Sequence, residues 1–342
     1  MPVSLPEIQS PDGQLRSLLQ RRLDNLTKPT GSLGRLEEFA REFGVMRGSV
    51  DLVLNKQAIF TFAADHGVSR TGVSAYPREV TAQMVFNFLR GGAAINVLCR
   101  HYGIENVIVD VGVDYDFQER PGLVSKKVRR GTENFVEHPA MTEEEAIRAI
   151  QVGMDCAQGY DLIGTGEMGI GNTTSSSAIL AVIAGLPVEE AVGRGTGVDD
   201  ERMRHKANLI RKALHSHQPD PHDALDVLTK IGGFEIAAIA GLIIAAASRR
   251  IPVVVDGFIS GAGAMIATKL APESRQFIFF SHLSRERGHL RMMEYFSARP
   301  ILDLDMCLGE GTGAAVAMSI ITAAVRLYQE MATFESASVS RG

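Results

Sequence analysis

The chain has 342 residues, of which 45% are hydrophobic and 22% charged, and its formal net charge is −5. This length can bury a sizeable core, as one large domain or two. The scattered basic residues do not indicate nucleic-acid binding, and the longest apolar stretches, at 236–247 and 314–324, are too short to span a membrane. Three distant cysteines and a start without signal-peptide character predict a cytoplasmic protein.

Strand-like and helical patterns alternate along the chain. Leucines at helical spacing over 15–26 and a second helix from Arg35 precede the first strand. Strands are predicted at 58–64, 106–111, 160–163, 251–255 and 276–280, with helical patterns after each. Most of these strands are near-continuous apolar runs, which are typical of strands buried on both faces. We therefore predict an α/β fold, a Rossmann-like parallel sheet with helices on both faces.

The two ends of the chain lie outside this alternation. Residues before 55 and after 312 are mainly helical in pattern, and the two segments could pack together as one layer. We predict a large α/β catalytic domain at 55–310 and a small helical domain made from 1–54 and 311–342.

A glycine-rich stretch, 164–176, follows the third predicted strand and leads into a helix. Gly164, Gly166 and Gly169 match the dinucleotide-binding fingerprint. Glu167 would then face the pyrophosphate, which argues against a dinucleotide. A mononucleotide or phosphate cradle at the helix N-terminus and plain strand–helix packing both remain open.

A second carboxylate among glycines is Glu310, in the segment 309–313 ahead of an apolar helix. It is either a partner of the helix dipole or a general base, because a buried Glu has the raised pKa that a base at neutral pH needs. Asp65-His66 and His282 fall at strand ends, as does Asp256. No carboxylate–histidine cluster has metal-ligand spacing, so no metal is predicted.

Two further groups of residues are candidates for ligand contacts. Tyr76, Met84 and Phe88 could line an apolar pocket, with Gln83 as a polar group that orients an aromatic ligand, although Met84 and Phe88 could equally be core residues. Lys206 lies on a charged helix after the glycine segment 193–197; it belongs either to a solvated face or to an anion site.

Several motifs together resemble the nicotinate-nucleotide–dimethylbenzimidazole phosphoribosyltransferase family, over about residues 15–330. The matching segments are Thr27–Glu37, Ala64–Gly67, Tyr76–Met84, Gly166–Thr174, Gly195–Val198, Asp256–Phe258 and Leu308–Gly313. One departure is Thr30, where the family often has proline, and it affects only the rigidity of a turn.

The resemblance implies a homodimer without metal or cofactor, in which phosphoribose moves from nicotinate mononucleotide to dimethylbenzimidazole for the lower ligand of cobalamin. It implies that Glu310 is the general base and that Glu167 also acts at the site. The remaining predicted substrate-binding residues are Gly169, Gly171, Asn172, Thr173, Gly195, Lys206, Gly311, Thr312, Gly313, Tyr76, Gln83, Met84 and Asp256. The alternatives are an NAD(P)-dependent oxidoreductase and a non-catalytic mononucleotide-binding sensor.

Overall fold

The fold is taken from a computed structural model that describes residues 4–193 and 200–340, with only the backbone at Asp200. Its strands are β1 Gln57–Ala64, β2 Glu105–Gly112, β3 Leu123–Ser125, β4 Leu162–Met168, β5 Val253–Val255 and β6 Ile278–Phe280. Within the described ranges they form one six-stranded sheet, in the order β3-β2-β1-β4-β5-β6, with every pair parallel. The predicted Rossmann-like parallel sheet is confirmed.

Helices cover both faces of this sheet. They are α1 Gly13–Asp24, α2 Arg35–Arg47, α3 Val80–Arg90, α4 Ala94–Tyr102, α5 Glu143–Cys156, α6 Asn172–Ala184, α7 Val188–Ala191, α8 Asp200–His217, α9 Ala224–Ile231, α10 Phe234–Ser248, α11 Phe258–Leu270, α12 Arg287–Tyr295 and α13 Thr312–Glu330. None of these helices is long and apolar enough to cross a membrane, as far as the described ranges go.

Successive side chains of β1 enter two different cores. Phe60 and Phe62 pack with α5, α6, α10 and α11 on one face, whereas Ile59 and Ala63 pack with α1, α2, α4 and α13 on the other. This alternation follows from the period of two along a strand. Both faces are therefore buried, as the near-continuous apolar runs predicted.

The terminal helices pack together on the second of these faces. Helices α1 and α2 contact each other, and α2 contacts α13. The hydroxyl of Tyr328 donates to the carbonyl of Val50 (3.0 Å), and a buried ion pair joins Lys28 to Glu37 (2.7 Å). Because their apolar residues belong to the same core as one face of the sheet, the division at residues 55 and 311 stays a prediction.

The third predicted strand is longer than expected. It was predicted to end at Ile163, but β4 continues to Met168, so Gly164 and Gly166 lie inside the strand. A methyl group at Gly164 would lie 2.7 Å from the side chain of Ile59 and 2.9 Å from that of Met318, and one at Gly166 would overlap the backbone of Glu310. These two glycines allow α13 and its preceding loop to approach the strand, and they do not form the turn of a dinucleotide fingerprint.

Three short elements were not predicted. Strand β3 has three residues at the sheet edge, inside a stretch predicted to be irregular. Helices α7 and α12 are also short. Strand β3 and helix α7 have too few residues to show a periodic pattern, whereas α12 is as long as α4 and was overlooked.

Candidate active site

A cavity of about 390 Å³ opens at the carboxyl ends of β4, β5 and β6. This is the edge at which ligands bind in open parallel sheets. Three loops after these strands, the segment before α13 and one side of α3 line the cavity. The lining residues are Tyr76, Val80, Met84, Glu167, Met168, Gly169, Ile170, Asn172, Thr173, Asp256, Gly257, Phe258, Ile259, His282, Ser284, Glu286, Cys307, Leu308, Gly309 and Glu310.

Three buried carboxylates share this cavity. Glu167, Asp256 and Glu310 are only 6%, 2% and 6% exposed. Burial raises the pKa of Glu167 to about 8 and that of Asp256 to about 7, and it raises the pKa of Glu310 above its ordinary value. Repulsion adds to the effect, since the charge of Asp256 raises the pKa of both glutamates. Ionisation of all three carboxylates at the same time is therefore disfavoured at neutral pH, because like charges in an apolar site repel one another.

Glu310 has an unusual backbone. Its φ is +64°, and the flanking Gly309 and Gly311 have φ of +85° and +95°. The carbonyl oxygen of Glu310 accepts a hydrogen bond from the hydroxyl of Thr61 (3.2 Å), and its carboxylate accepts a long one from the amide of Ile95 (3.4 Å). Left-handed backbone at a non-glycine residue is strained and marks sites where the surroundings impose it.

Glu167 lies near the carboxyl end of β4, beside this loop. The side-chain amide of Asn172 donates a hydrogen bond to its carboxylate. A methyl group at Gly309 would overlap the other carboxylate oxygen of Glu167. The two acids of the glycine-rich segments, far apart in sequence but adjacent in the fold, therefore belong to one site.

Asp256 takes a role that the sequence did not reveal. One carboxylate oxygen accepts from the amide of Gly311 (3.2 Å) and the other from the amide of Ala314 (2.9 Å), so Asp256 caps α13. The amide of Thr312 donates a hydrogen bond to the carbonyl of Gly309 (3.0 Å), so it is also occupied within the protein. Gly313 is in close contact with His282, because a methyl group at Gly313 would overlap the ring.

Gly311, Thr312 and Gly313, which were predicted to bind substrate, lie at this capped helix start, and their contact with substrate stays a prediction. The helix N-terminus there already binds an internal anion, the carboxylate of Asp256. A phosphate would have to displace that carboxylate to reach the same amides.

At the other predicted anion site, the start of α6, the buried side chain of Lys206 lies next to the first turn of the helix. The ammonium of Lys206 donates to the hydroxyl of Thr173 (2.7 Å), in the first turn of the helix. Lys206 is 1% exposed, and burial lowers its pKa to about 8, with Glu286 acting in the opposite direction. A buried cation at a helix N-terminus is suited to an anionic ligand.

The predicted glycines of this loop differ in what they do. Gly171 has a φ of +97° and caps α6, and a methyl at Gly169 would overlap the carbonyl of Ala64. Gly195 lies outside the described residues.

Tyr76 and Met84 line the apolar side of the cavity, whereas Phe88 and Gln83 do not, and Phe88 is buried in the core. Gln83 is exposed and borders a separate cavity of about 220 Å³ with Asp65 and Tyr115. Neighbouring residues on a helix point about 100° apart, so Gln83 and Met84 do not face the same pocket.

Of the two strand-end histidines, only His282 lines the cavity. His66 is buried between Glu235 (2.6 Å) and the hydroxyl of Ser175 (3.1 Å) and holds β1 against α10 and α6. Among the described residues, no group of three or more His, Cys, Asp or Glu is arranged to hold a metal ion.

The sequence analysis did not single out several lining residues, including Ser284, Glu286, Cys307 and Leu308. Ser284 carried a weak signal, since it follows a predicted strand end. Glu286 precedes the unpredicted helix α12, and nothing in its local sequence points to a ligand site.

Comparison with known proteins assigns the class first. A family model described as phosphoribosyltransferase matches residues 8–339. Nicotinate-nucleotide–dimethylbenzimidazole phosphoribosyltransferases of Geobacter sulfurreducens and Chlorobaculum tepidum are 56% and 53% identical, over 99% and 98% of this chain and 98% and 97% of their own. A crystal structure of CobT from Thermus thermophilus matches with a TM-score of 0.92 and 46% identity, over 96% of this chain and all of that one.

The chain therefore belongs to the nicotinate-nucleotide–dimethylbenzimidazole phosphoribosyltransferase family. The resemblance found in the motifs is confirmed.

Proposed function

We propose that this protein transfers phosphoribose from nicotinate mononucleotide to 5,6-dimethylbenzimidazole. The products are α-ribazole 5′-phosphate and nicotinate, and the step serves assembly of the cobalamin lower ligand. The observation that carries the proposal is the position of Glu310, a buried acid with raised pKa in a cavity lined on one side by apolar residues and on another by Thr173, whose hydroxyl binds the ammonium of Lys206.

The reaction needs help mainly on the attacking side. A benzimidazole nitrogen attacks the anomeric carbon with its lone pair, the bond from that carbon to the pyridinium nitrogen breaks, and its electron pair returns to the nicotinate ring. Nicotinate therefore leaves without acid assistance. The second ring N–H of the benzimidazole becomes acidic as positive charge develops, and its proton passes to the carboxylate of Glu310.

The other two carboxylates suit this division of roles. Asp256 is held by the amides at the start of α13, which favours its ionised form. Burial and the charge of Asp256 raise the pKa of Glu167 to about 8, which favours its protonated form and lessens the repulsion felt by Glu310. Glu167 lies where it can bond the ribose of the bound nucleotide.

The polar and apolar sides of the cavity match the phosphate of the nucleotide and the benzimidazole ring, respectively. Lys206, Thr173 and the first turn of α6 would bind the 5′-phosphate. Tyr76, Met84 and Val80 would hold the flat benzimidazole. Most of the rate enhancement then comes from holding the two heterocycles in line with the sugar.

We also propose a cytoplasmic homodimer. The resemblance implies the dimer, and large apolar side chains at the cavity mouth, among them Tyr76 and Leu308, are exposed in the single chain. Cys99, Cys156 and Cys307 are all free thiols, which fits a reducing compartment.

The test is incubation of the purified protein with nicotinate mononucleotide and dimethylbenzimidazole, followed by mass spectrometry. Formation of α-ribazole phosphate together with an equal amount of nicotinate is expected. Binding of the nucleotide without any product would instead identify a sensor, and a fluorescence change with NADH would favour the oxidoreductase.

A further inference from the structure

His282 is a buried cavity residue that the mechanism above does not use. It follows β6, is 2% exposed, and lies between Gly257 and Gly313. A methyl at Gly313 would overlap its Nδ1, and one at Gly257 would lie 3.3 Å from its Cε1 and 3.6 Å from its Nε2. The two glycines hold the ring in one place, with the Nε2 edge beside Gly257, itself a lining residue of the cavity.

The hydrogen bonds around Nδ1 decide which nitrogen carries the proton. The hydroxyl of Ser281 bonds the backbone carbonyl of Asp256 (2.5 Å), and a carbonyl oxygen only accepts, so the one proton of Ser281 is used there. Nδ1 of His282 lies 2.9 Å from the same hydroxyl oxygen and must therefore donate to it. Nε2 is left with a lone pair, and no group in residues 4–193 or 200–340 donates to it.

The ring is also held neutral. Burial lowers the pKa of His282 to about 4. At neutral pH, Nε2 is therefore an uncharged hydrogen-bond acceptor, on a residue that lines the cavity beside Gly257.

Only some parts of the substrates can satisfy such an acceptor. The phosphate, when fully ionised, and the nicotinate carboxylate have no proton to donate, and the benzimidazole N–H is committed to Glu310. The 2′- and 3′-hydroxyls of the ribose are the remaining donors. We propose, on the basis of the function proposed above, that Nε2 of His282 accepts a hydrogen bond from a ribose hydroxyl and selects ribosyl over deoxyribosyl substrates.

Two substitutions separate the two nitrogens. The amide of asparagine can replace Nδ1–H and keep the bond to Ser281, but it has no atom where Nε2 was. Glutamine can place its carbonyl oxygen near that position and accept a hydrogen bond. His282→Asn should therefore raise KM for nicotinate mononucleotide about five- to tenfold with little change in kcat, whereas His282→Gln should recover most of the loss.

The decisive measurement uses nicotinate mononucleotide and its 2′-deoxy and 3′-deoxy analogues with wild type and both variants. Wild type should lose about five- to tenfold in kcat/KM on one analogue, and His282→Asn should lose nothing further on that analogue. If His282→Asn loses as much as wild type on both analogues, the proposal is overturned. Wild type without turnover on the ribosyl substrate would instead refute the proposed function.

Nitrogen NMR of histidine-labelled wild type keeps the proposal testable if the asparagine variant does not fold. Nδ1 of His282 should carry the proton, and the Nε2 signal should shift when nicotinate mononucleotide binds. A proton on Nε2 would make that atom a donor and would overturn the proposal.

Discussion

The neighbours of Glu310 determine both its left-handed backbone and the pKa of its carboxylate. The glycines on either side allow a left-handed turn, and the turn places the carboxylate in the cavity against the amide of Ile95. That amide, at the start of α4, lowers the pKa of Glu310, whereas burial raises it, and burial prevails. The helix that Glu310 contacts is thus α4, and not α13, the following helix whose dipole was considered from the sequence and which Asp256 caps.

Glu310→Gln should keep the fold and nucleotide binding but reduce kcat about 10²-fold or more, because the amide cannot accept the benzimidazole proton. Steady-state kinetics, circular dichroism and a nucleotide titration measure the three properties. Glu79→Gln is the matched control, since that carboxylate is exposed at 66% of its side chain. Near-wild-type turnover in a folded Glu310→Gln would remove Glu310 from the role of base.

Lys206→Met should raise KM for nicotinate mononucleotide about 10- to 100-fold, because a charge-assisted bond to the phosphate is lost. Since the pKa of Lys206 is lowered to about 8, KM of the wild type should rise as pH passes above that value, and the variant should lack this rise. Lys212→Met, on the exposed face of the same helix α8, is the control. An unchanged KM in Lys206→Met would place the phosphate elsewhere.

Glu167→Gln should change the pH dependence of stability. The folded-state pKa of Glu167 is raised from an ordinary 4.5 to about 8, so the folded state binds the proton more tightly than the unfolded state does. Stability therefore falls as pH rises from about 4.5 to about 8, and glutamine, which has no charge to lose, removes this fall. We expect the variant to exceed wild type by roughly 2 kcal/mol or more at pH 9 and to match it near pH 5.

Urea unfolding at pH 5, 7 and 9 measures this difference. A gap between the two proteins that is the same at all three pH values would show that the carboxylate of Glu167 is not the cause.

At the level of elements, the contact between β4 and the loop before α13 builds the site. Gly166 has no side chain, so the backbone of Glu310 lies directly against the strand. Asp256, at the end of β5, then fixes the start of α13 through the amides of Gly311 and Ala314. This contact joins segments that are distant in sequence, whereas a helix cap formed by near neighbours, such as the capping box of α5, was predictable.

Gly166→Ala should destabilise the protein by about 1–3 kcal/mol, because the added methyl overlaps the carbonyl of Glu310 and lies 3.0 Å from the amide of Gly311. It should also lower kcat, since the displaced loop carries the base. Gly13→Ala is the control, because a methyl there meets nothing within 4 Å and stability should be unchanged or slightly raised. Wild-type stability and kcat in Gly166→Ala would contradict this account of the contact.

For the molecule as a whole, the predicted homodimer has a direct measurement. Size-exclusion chromatography with light scattering should give about twice the mass of one chain. A charge at the exposed apolar rim, such as Leu308→Glu, should weaken association, because an interface core disfavours an unpaired charge. A wild-type protein that is a monomer at micromolar concentration would refute the dimer.

The alternation of strands and helices, the parallel sheet and the two acids among glycines were readable along the chain, because periodicity and motif spacing are local properties. The family resemblance added the pairing of Glu167 with Glu310 in one site.

Other features depend on contacts between segments far apart in sequence. Asp256 occupies the amides near Gly311, and Gln83 lies outside the cavity that Met84 lines. The tautomer of His282 follows from its contact with Ser281, whose proton is held by the carbonyl of Asp256 on the neighbouring strand end. Hydrogen-bond partners and cavity walls arise only when the chain is folded, so no local pattern could assign them.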